Sequence, residues 1–299
     1  MCLPLLPGRR MFSPARILVW LTLLALLASA GYLQIGRSRA SAQLAAARAA
    51  LAGRDYPGAR DQLQVYLALR PSDAEAHLLA ARAEREIALL DALRPGWDSA
   101  LQSHLQEARR LGADVDAVRF EAALTAALGG APEAERYVLG RATGDGPDAI
   151  CALETLVRVN LDNHQFGHAR RCADRLLNLD PNNARALFWR GLILESQLHF
   201  EPELADYRRA LELAPDLDAA RLRLAGCLVV LNRHAEAASH YRWLLEHRPD
   251  DREVLLGLAT CCNASGEFGE AAAHLQRLLA LDPENGPALL LGGRGLRSG

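Results

Sequence analysis

Four prolines in the second half of the chain stand at a constant interval of 34 residues. They are Pro181, Pro215, Pro249 and Pro283, in the contexts LNLDPNN, LELAPDL, LEHRPDD and LALDPEN. A fixed period of this length indicates a repeat architecture, in which each unit is too small to bury its own apolar face and must stack on its neighbours.

The residues between the prolines keep a helical spacing. If each unit is counted so that proline stands at position 32, positions 20, 24 and 27 are spaced four and three residues apart, which places them on one face of a helix. Position 8 is compact in every unit: Val157, Gly191, Ala225 and Ala259. Compact residues let two helices approach closely, and the proline ends the second helix. The pattern therefore predicts two antiparallel helices per unit.

The composition agrees with an all-helical chain. Half of the residues are hydrophobic but only 5% are aromatic, and Ala and Leu dominate. Helices favour these residues, whereas a β-sandwich would require more β-branched and aromatic side chains.

This arrangement resembles the tetratricopeptide repeat, which has a 34-residue period and an A…F…A…P pattern. The resemblance is strong over four units, 150–183, 184–217, 218–251 and 252–285, and weaker over 40–73, 74–115 and 116–149. It implies an α-solenoid over residues 40–299, a right-handed superhelical array of antiparallel helix pairs. Residues 286–299 begin a further helix, which the glycines after Leu291 are expected to break, since glycine is a poor helix former.

In this family the first helix of each unit lines a concave groove, and positions 2, 5, 9, 12 and 13 face it. The same positions include Glu154 in the fourth unit and Gly226 in the sixth. The middle of the stripe is apolar, which suits an apolar helix or an extended peptide. Alternatively, each of these residues packs between repeats, as apolar stripes at helical spacing usually do. The groove residues implied for this chain are Arg158, Asp162, Arg185, Phe188, Leu192, Glu195, Leu222, Val229, Val230, Leu256 and Asn263.

The amino terminus has a different character. A basic tail, residues 1–16, precedes an uncharged apolar run over residues 17–35. A helix of that length spans about 28 Å, close to the roughly 30 Å of a hydrocarbon core. The run is expected to be a single-pass membrane anchor with the solenoid outside the cytoplasm. The alternatives are a signal peptide cleaved near Ala30, which would leave a secreted or periplasmic protein, and a buried core helix.

The charged residues argue against nucleic acid as a partner. Every basic residue is arginine, and seven of the 34 precede the first acidic residue, Asp55. Residues 55–299 then hold 27 arginines against 36 acidic residues, a net charge of -9. A phosphate-binding surface requires clustered positive charge instead.

No motif for phosphate binding, zinc hydrolysis or a nucleophilic serine occurs in the chain. His164 and His168 are four residues apart but have no acidic partner in the motif, and the cysteines after Cys2 fall in predicted helices, where thiols usually pack as small hydrophobes. We therefore expect no catalytic residue, no metal and no cofactor.

The function that these features favour is a membrane-tethered scaffold that binds a partner protein or peptide in the groove and is not an enzyme. The alternative is the recruiting or regulatory amino-terminal portion of a larger or truncated enzyme of the transferase or kinase type, since arrays of this family are often fused to such domains.

Overall fold

The computed structural model describes residues 38–90, 97–197 and 200–295. Within these ranges all regular structure is helical, and no strand is present. The predicted all-α class is confirmed. The chain divides into two compact units between Thr125 and Ala126.

The described ranges contain fifteen helices. Helix α1 covers residues 38–52. The others in the first unit are α2 (Tyr56–Leu69), α3 (Ala74–Leu90), α4 (Trp97–Arg110) and α5 (Val115–Leu128), the last of which contains the division. The second unit holds α6 (Pro132–Arg141), α7 (Pro147–Asp162), α8 (Phe166–Leu179), α9 (Ala184–Ser196), α10 (Phe200–Leu213), α11 (Asp218–Val230), α12 (His234–His247), α13 (Arg252–Ala264), α14 (Phe268–Leu281) and α15 (Gly286–Gly295).

Consecutive helices pack on each other along the second unit, from α6 on α7 to α14 on α15. In addition, α7 contacts α9, α11 contacts α13, and α13 contacts α15. In the first unit, α2 packs on α3 and α3 on α4. This nearest-neighbour packing is that of a helical solenoid. The right-handed superhelical sense stays a prediction.

The repeating proline marks the turn between helix pairs. Helix α8 ends at Leu179, and Asp180, the residue before Pro181, has a non-helical backbone with φ -135° and ψ 84°, since proline disfavours the helical conformation in its predecessor. Two residues after the proline, the Asn183 side chain accepts a hydrogen bond from the Ala186 backbone N–H and caps α9. The turn therefore ends one helix and starts the next within four residues.

In five helix pairs, the turn between the two helices depends on a residue with left-handed backbone conformation. This residue follows an odd-numbered helix, and it is Arg54, Gly130, His164, Asn232 or Gly266 in five of the pairs, with φ between 55° and 80°. The next amide N–H then bonds to a carbonyl five residues back, as from Gln165 to Asn160 at 2.7 Å. His164, the first of the two histidines with metal-like spacing, is therefore a turn residue.

Gly191 shows why position 8 is compact. A Cβ atom added there would lie 2.4 Å from the ring of Tyr207 on α10, so the ring packs directly against the backbone of α9. Gly226, on α11, is the opposite case, because nothing lies within 4 Å of an added Cβ.

Two further expectations from the sequence concern the ends of the chain. Helix α15 runs to Gly295, so the expected break after Leu291 was wrong. It packs on α13 and α14, and this tertiary packing offsets the low helix propensity of glycine. No helix among the described residues is long and apolar enough to cross a membrane. The expected tail at 1–16 and anchor at 17–35 lie outside the described residues.

The two glycines predict opposite effects of the same substitution. Gly191→Ala should lower the free energy of unfolding by about 1–3 kcal/mol, because its methyl group overpacks against Tyr207. Gly226→Ala should raise it by about 0.5–1 kcal/mol, because alanine favours the helix and meets no neighbour. Urea unfolding followed by circular dichroism measures both. Equal effects of the two substitutions would contradict the close approach of α9 and α10.

Candidate peptide-binding surface

All eleven predicted groove residues lie on odd-numbered helices. Helix α7 carries Arg158 and Asp162, α9 carries Arg185, Phe188, Leu192 and Glu195, α11 carries Leu222, Val229 and Val230, and α13 carries Leu256 and Asn263. The structure divides this set into residues that are buried and residues that a partner can reach.

Arg185 belongs to the buried group. Its guanidinium Nη2 lies 3.0 Å from Glu154 Oε2 on α7, and it stands over the ring of Trp189 at 5.8 Å. The Asn183 side-chain amide donates to the other oxygen of Glu154 at 2.9 Å. All three polar side chains are buried. Arg185 therefore connects α9 to α7 and is not presented to a ligand.

Phe188 is buried as well, with its ring centroid 6.1 Å from that of Tyr207. The Tyr207 hydroxyl donates to Glu195 at 2.9 Å. Burial and the nearby Glu195 carboxylate raise the pKa of Tyr207 far above its usual range, so the hydroxyl keeps its proton. Glu195 also lies 3.5 Å from Arg223, so its position is held from both sides.

The accessible residues form what we call the apolar stripe: Leu192, Leu222, Gly226, Val229, Val230 and Leu256. Val230 is the most exposed, at 57%. Leu192, Leu222, Val229 and Leu256 are partly buried. Leu256 also packs against the core cluster that contains Leu255 and Leu278, so part of its surface stabilises the fold.

The charged residues predicted for the groove are paired. Arg158 and Asp162 form an ion pair at 2.8 Å on α7, and Glu195 has Arg223 beside it. Paired charges of this kind leave the neighbouring surface close to neutral. The surface on α9, α11 and α13 therefore favours an uncharged segment over a strongly acidic or basic one.

Asn263 has a different surrounding from the other groove residues. It lies at the edge of a cavity of about 660 Å³ formed with α14 and α15. The walls are mostly apolar and include Phe268, Leu275, Leu279 and Leu289. Groove positions did not predict this cavity, although the apolar run from Ala288 to Leu291 could have indicated it.

Among the described residues, one group brings potential metal ligands together: Cys262, Glu267 and Glu270, whose ligand atoms lie within 4.8 Å of one another. Arg242 of α12 already pairs with Glu267 at 3.4 Å and with Glu270 at 3.1 Å. Burial raises the pKa of Cys262 to about 11, so the thiol is protonated at neutral pH. The group thus serves as an ion pair between α12 and α14.

The buried thiols of Cys227 and Cys261 have the same character. Burial raises the pKa of Cys227 to about 12 and that of Cys261 to about 11. A nucleophilic cysteine needs a lowered pKa, which makes the thiolate available at neutral pH. These side chains therefore act as packing residues.

The buried ion pair of Glu154 with Arg185 and the more exposed pair of Arg158 with Asp162 should contribute differently to the free energy of unfolding. Glu154→Ala leaves the Arg185 guanidinium buried beside an uncharged methyl group, and we expect a loss of about 3–5 kcal/mol in the free energy of unfolding. Asp162→Ala removes an exposed partner and should cost less than about 1 kcal/mol. Chemical denaturation of the two variants measures the difference. A small effect of Glu154→Ala would place Arg185 in contact with solvent.

Comparisons with known proteins agree with the repeat pattern. The family model described as tetratricopeptide repeat matches residues 154–218 and 222–286. MamA from Desulfovibrio magneticus RS-1 (residues 41 to the end) is 16% identical, with 52% of this chain and 87% of that chain covered and a TM-score of 0.48. YrrB, a tetratricopeptide protein with an unusual peptide-binding site, is 14% identical, with 76% and 96% covered and a TM-score of 0.44.

A human protein, the IFIT1 dimer with PPP-AAAA, is 15% identical, with 77% of this chain and 69% of that chain covered and a TM-score of 0.49. Likenesses at this distance carry no ligand or activity over to the present chain. The match to the tetratricopeptide repeat model falls on the helices from α7 to α14, where consecutive helices pack on each other.

Proposed function

We propose that this protein is a binding scaffold, not an enzyme, and that it holds an apolar segment of a partner protein on the apolar stripe of α9, α11 and α13. Tetratricopeptide repeats suit protein–protein interaction. The stripe is accessible, and its charged neighbours are paired with each other.

The observation that carries this proposal is the pairing of Gly226 with an exposed Val230, one helical turn apart on α11. Glycine inside a helix costs about 1 kcal/mol relative to alanine. Here the cost brings no packing advantage within the chain, because the space around Gly226 is open. A bare stretch of helix beside an exposed apolar side chain provides room for the close approach of a peptide backbone.

The chemistry of the stripe restricts the partner. Leucine and valine side chains with a glycine between them recognise apolar side chains on a helix or an extended strand. The net charge of -9 over residues 55–299 disfavours phosphate-rich partners, so we infer that nucleic acid does not bind.

The test places a side chain in the open space at Gly226. Gly226→Leu should place an isobutyl group on the stripe, favour the helix and weaken partner binding at least tenfold. The partner is obtained by photo-crosslinking of the full chain in the source cell, and its binding segment is mapped with tiled peptides. Affinity is measured with the mapped peptide.

Gly140→Leu is the matched control, because Gly140 is exposed on α6 and an added Cβ also meets nothing within 4 Å. Both variants should keep the helical signal of the parent. Equal affinity of Gly226→Leu and parent for the peptide would exclude the stripe as the binding surface.

We further propose that residues 17–35 tether the protein to a membrane with the repeats on the extracytoplasmic side. The support is the uncharged apolar run of these residues after a basic tail. The parent protein should stay in the membrane fraction during a carbonate wash. Substituting Leu23 and Leu26 with arginine should release it into the supernatant. Mass spectrometry of the mature chain checks the alternative, since an amino terminus near Ala30 would show cleavage instead of anchoring.

A further inference from the structure

Two histidines from neighbouring helices face each other in the first unit, apart from the three-residue group around Cys262. Nδ1 of His77 on α3 lies 3.0 Å from Nδ1 of His104 on α4, and the two ring centroids are 5.3 Å apart. The residues are 27 positions apart in the sequence, so no short motif predicted that they would meet. Imidazole nitrogens are common ligands of transition metals, so the pair offers two ligand atoms at one point.

A backbone carbonyl fixes the proton positions of this pair. Nε2 of His77 lies 3.0 Å from the carbonyl oxygen of Pro71. A carbonyl oxygen only accepts hydrogen bonds, so Nε2 carries the proton and Nδ1 of neutral His77 has a free lone pair. His104 therefore donates its Nδ1–H to that lone pair. A histidine that donates its other ring N–H to a backbone carbonyl is held in the tautomer and orientation that metal ligation uses.

The core next to the pair holds the two helices in a fixed position. Leu101 and Leu105 of α4 are buried in one cluster with Ala81 of α3. His77 precedes Ala81 by about one helical turn, and His104 is the neighbour of Leu105, so the same contact positions both rings. Both histidines remain partly accessible, which leaves a path for an ion. Ligands that are positioned before the ion arrives lose less conformational entropy when it binds.

The distance between the two nitrogens discriminates among metals. With metal–nitrogen bonds of about 2.0–2.1 Å, a separation of 3.0 Å corresponds to a nitrogen–metal–nitrogen angle of about 94°. A tetrahedral zinc site has angles of about 109°, which would place the nitrogens about 3.3 Å apart. Neighbouring positions of a square plane, at about 90°, fit the observed distance better, and this geometry is typical of Cu²⁺ and Ni²⁺. Of these two ions, Cu²⁺ forms the more stable complexes.

We propose that His77 and His104 bind one Cu²⁺ ion through their Nδ1 atoms, in neighbouring positions of a tetragonal site that water completes, and that the ion cross-links α3 to α4. On binding, the Nδ1 proton of His104 leaves and its Nε2 takes up a proton from solvent, so the ring stays neutral. Glu107 lies one turn further along α4, but its carboxylate is bound to Nε of Arg110 at 2.8 Å. We therefore count two protein ligands.

Titration of the full chain with Cu²⁺ in detergent solution tests the site. Calorimetry should show one saturable ion per chain, and His77→Phe and His104→Phe should each weaken binding at least tenfold, because one imidazole remains. Cys2→Ser is present in every sample, since a thiol would compete for copper. The matched control is His168→Phe, which removes an exposed histidine four residues from His164 and should leave the affinity unchanged. Circular dichroism must show equal helix content in all variants.

Electron paramagnetic resonance of the same samples tests the geometry. With one equivalent of Cu²⁺, the parent should give an axial spectrum with two coupled imidazole nitrogens, and His104→Phe should give one. Equal affinity of His104→Phe and parent, an equal loss in His168→Phe, or a parent spectrum without two nitrogens would each overturn the proposal. Zn²⁺ binding as tight as that of Cu²⁺ would exclude the tetragonal geometry. Gly226→Leu, in the second unit, should leave copper binding unchanged, which separates this proposal from the peptide-binding one.

Discussion

Burial of each helix between its neighbours in the chain is the interaction on which the rest of the structure depends. Helix α13 illustrates it, since Leu255 and Ala259 are fully buried in a cluster to which α14 and α15 also contribute. A single pair of short helices has too little apolar contact to remain folded alone. Each pair therefore stabilises the next, and the outermost described helix keeps one side uncovered, as the exposure of Leu290 shows.

Polar contacts add specificity to this packing. Arg208 pairs with Glu236, and 34 residues later Arg242 pairs with Glu270 by the same geometry between successive even-numbered helices. The buried Glu154 receives hydrogen bonds from Asn183 and Arg185 and links α7 to α9. Exposed pairs contribute little to stability, but a buried charge needs its partner, which restricts how neighbouring helices can shift.

The candidate site follows from the same packing. On α9, the residues nearest its amino end, Arg185 and Phe188, are covered by neighbouring helices, whereas Leu192 remains partly accessible. On α11, the open space beside Gly226 and the exposed side chain of Val230 lie together near the carboxyl end of the helix. The surface available to a partner is therefore narrower than the full set of groove positions, because it leaves out the buried Arg185 and Phe188.

The sequence by itself determined the helical class, the 34-residue period and the ends of the even-numbered helices, because proline and the capping residues act within a few residues of the chain. Only the tertiary structure decided that Arg185 is buried, that His164 takes a left-handed turn conformation, and that α15 continues through Gly292. Periodicity shows which face of a helix is apolar, but the depth of burial depends on neighbours that are distant in sequence.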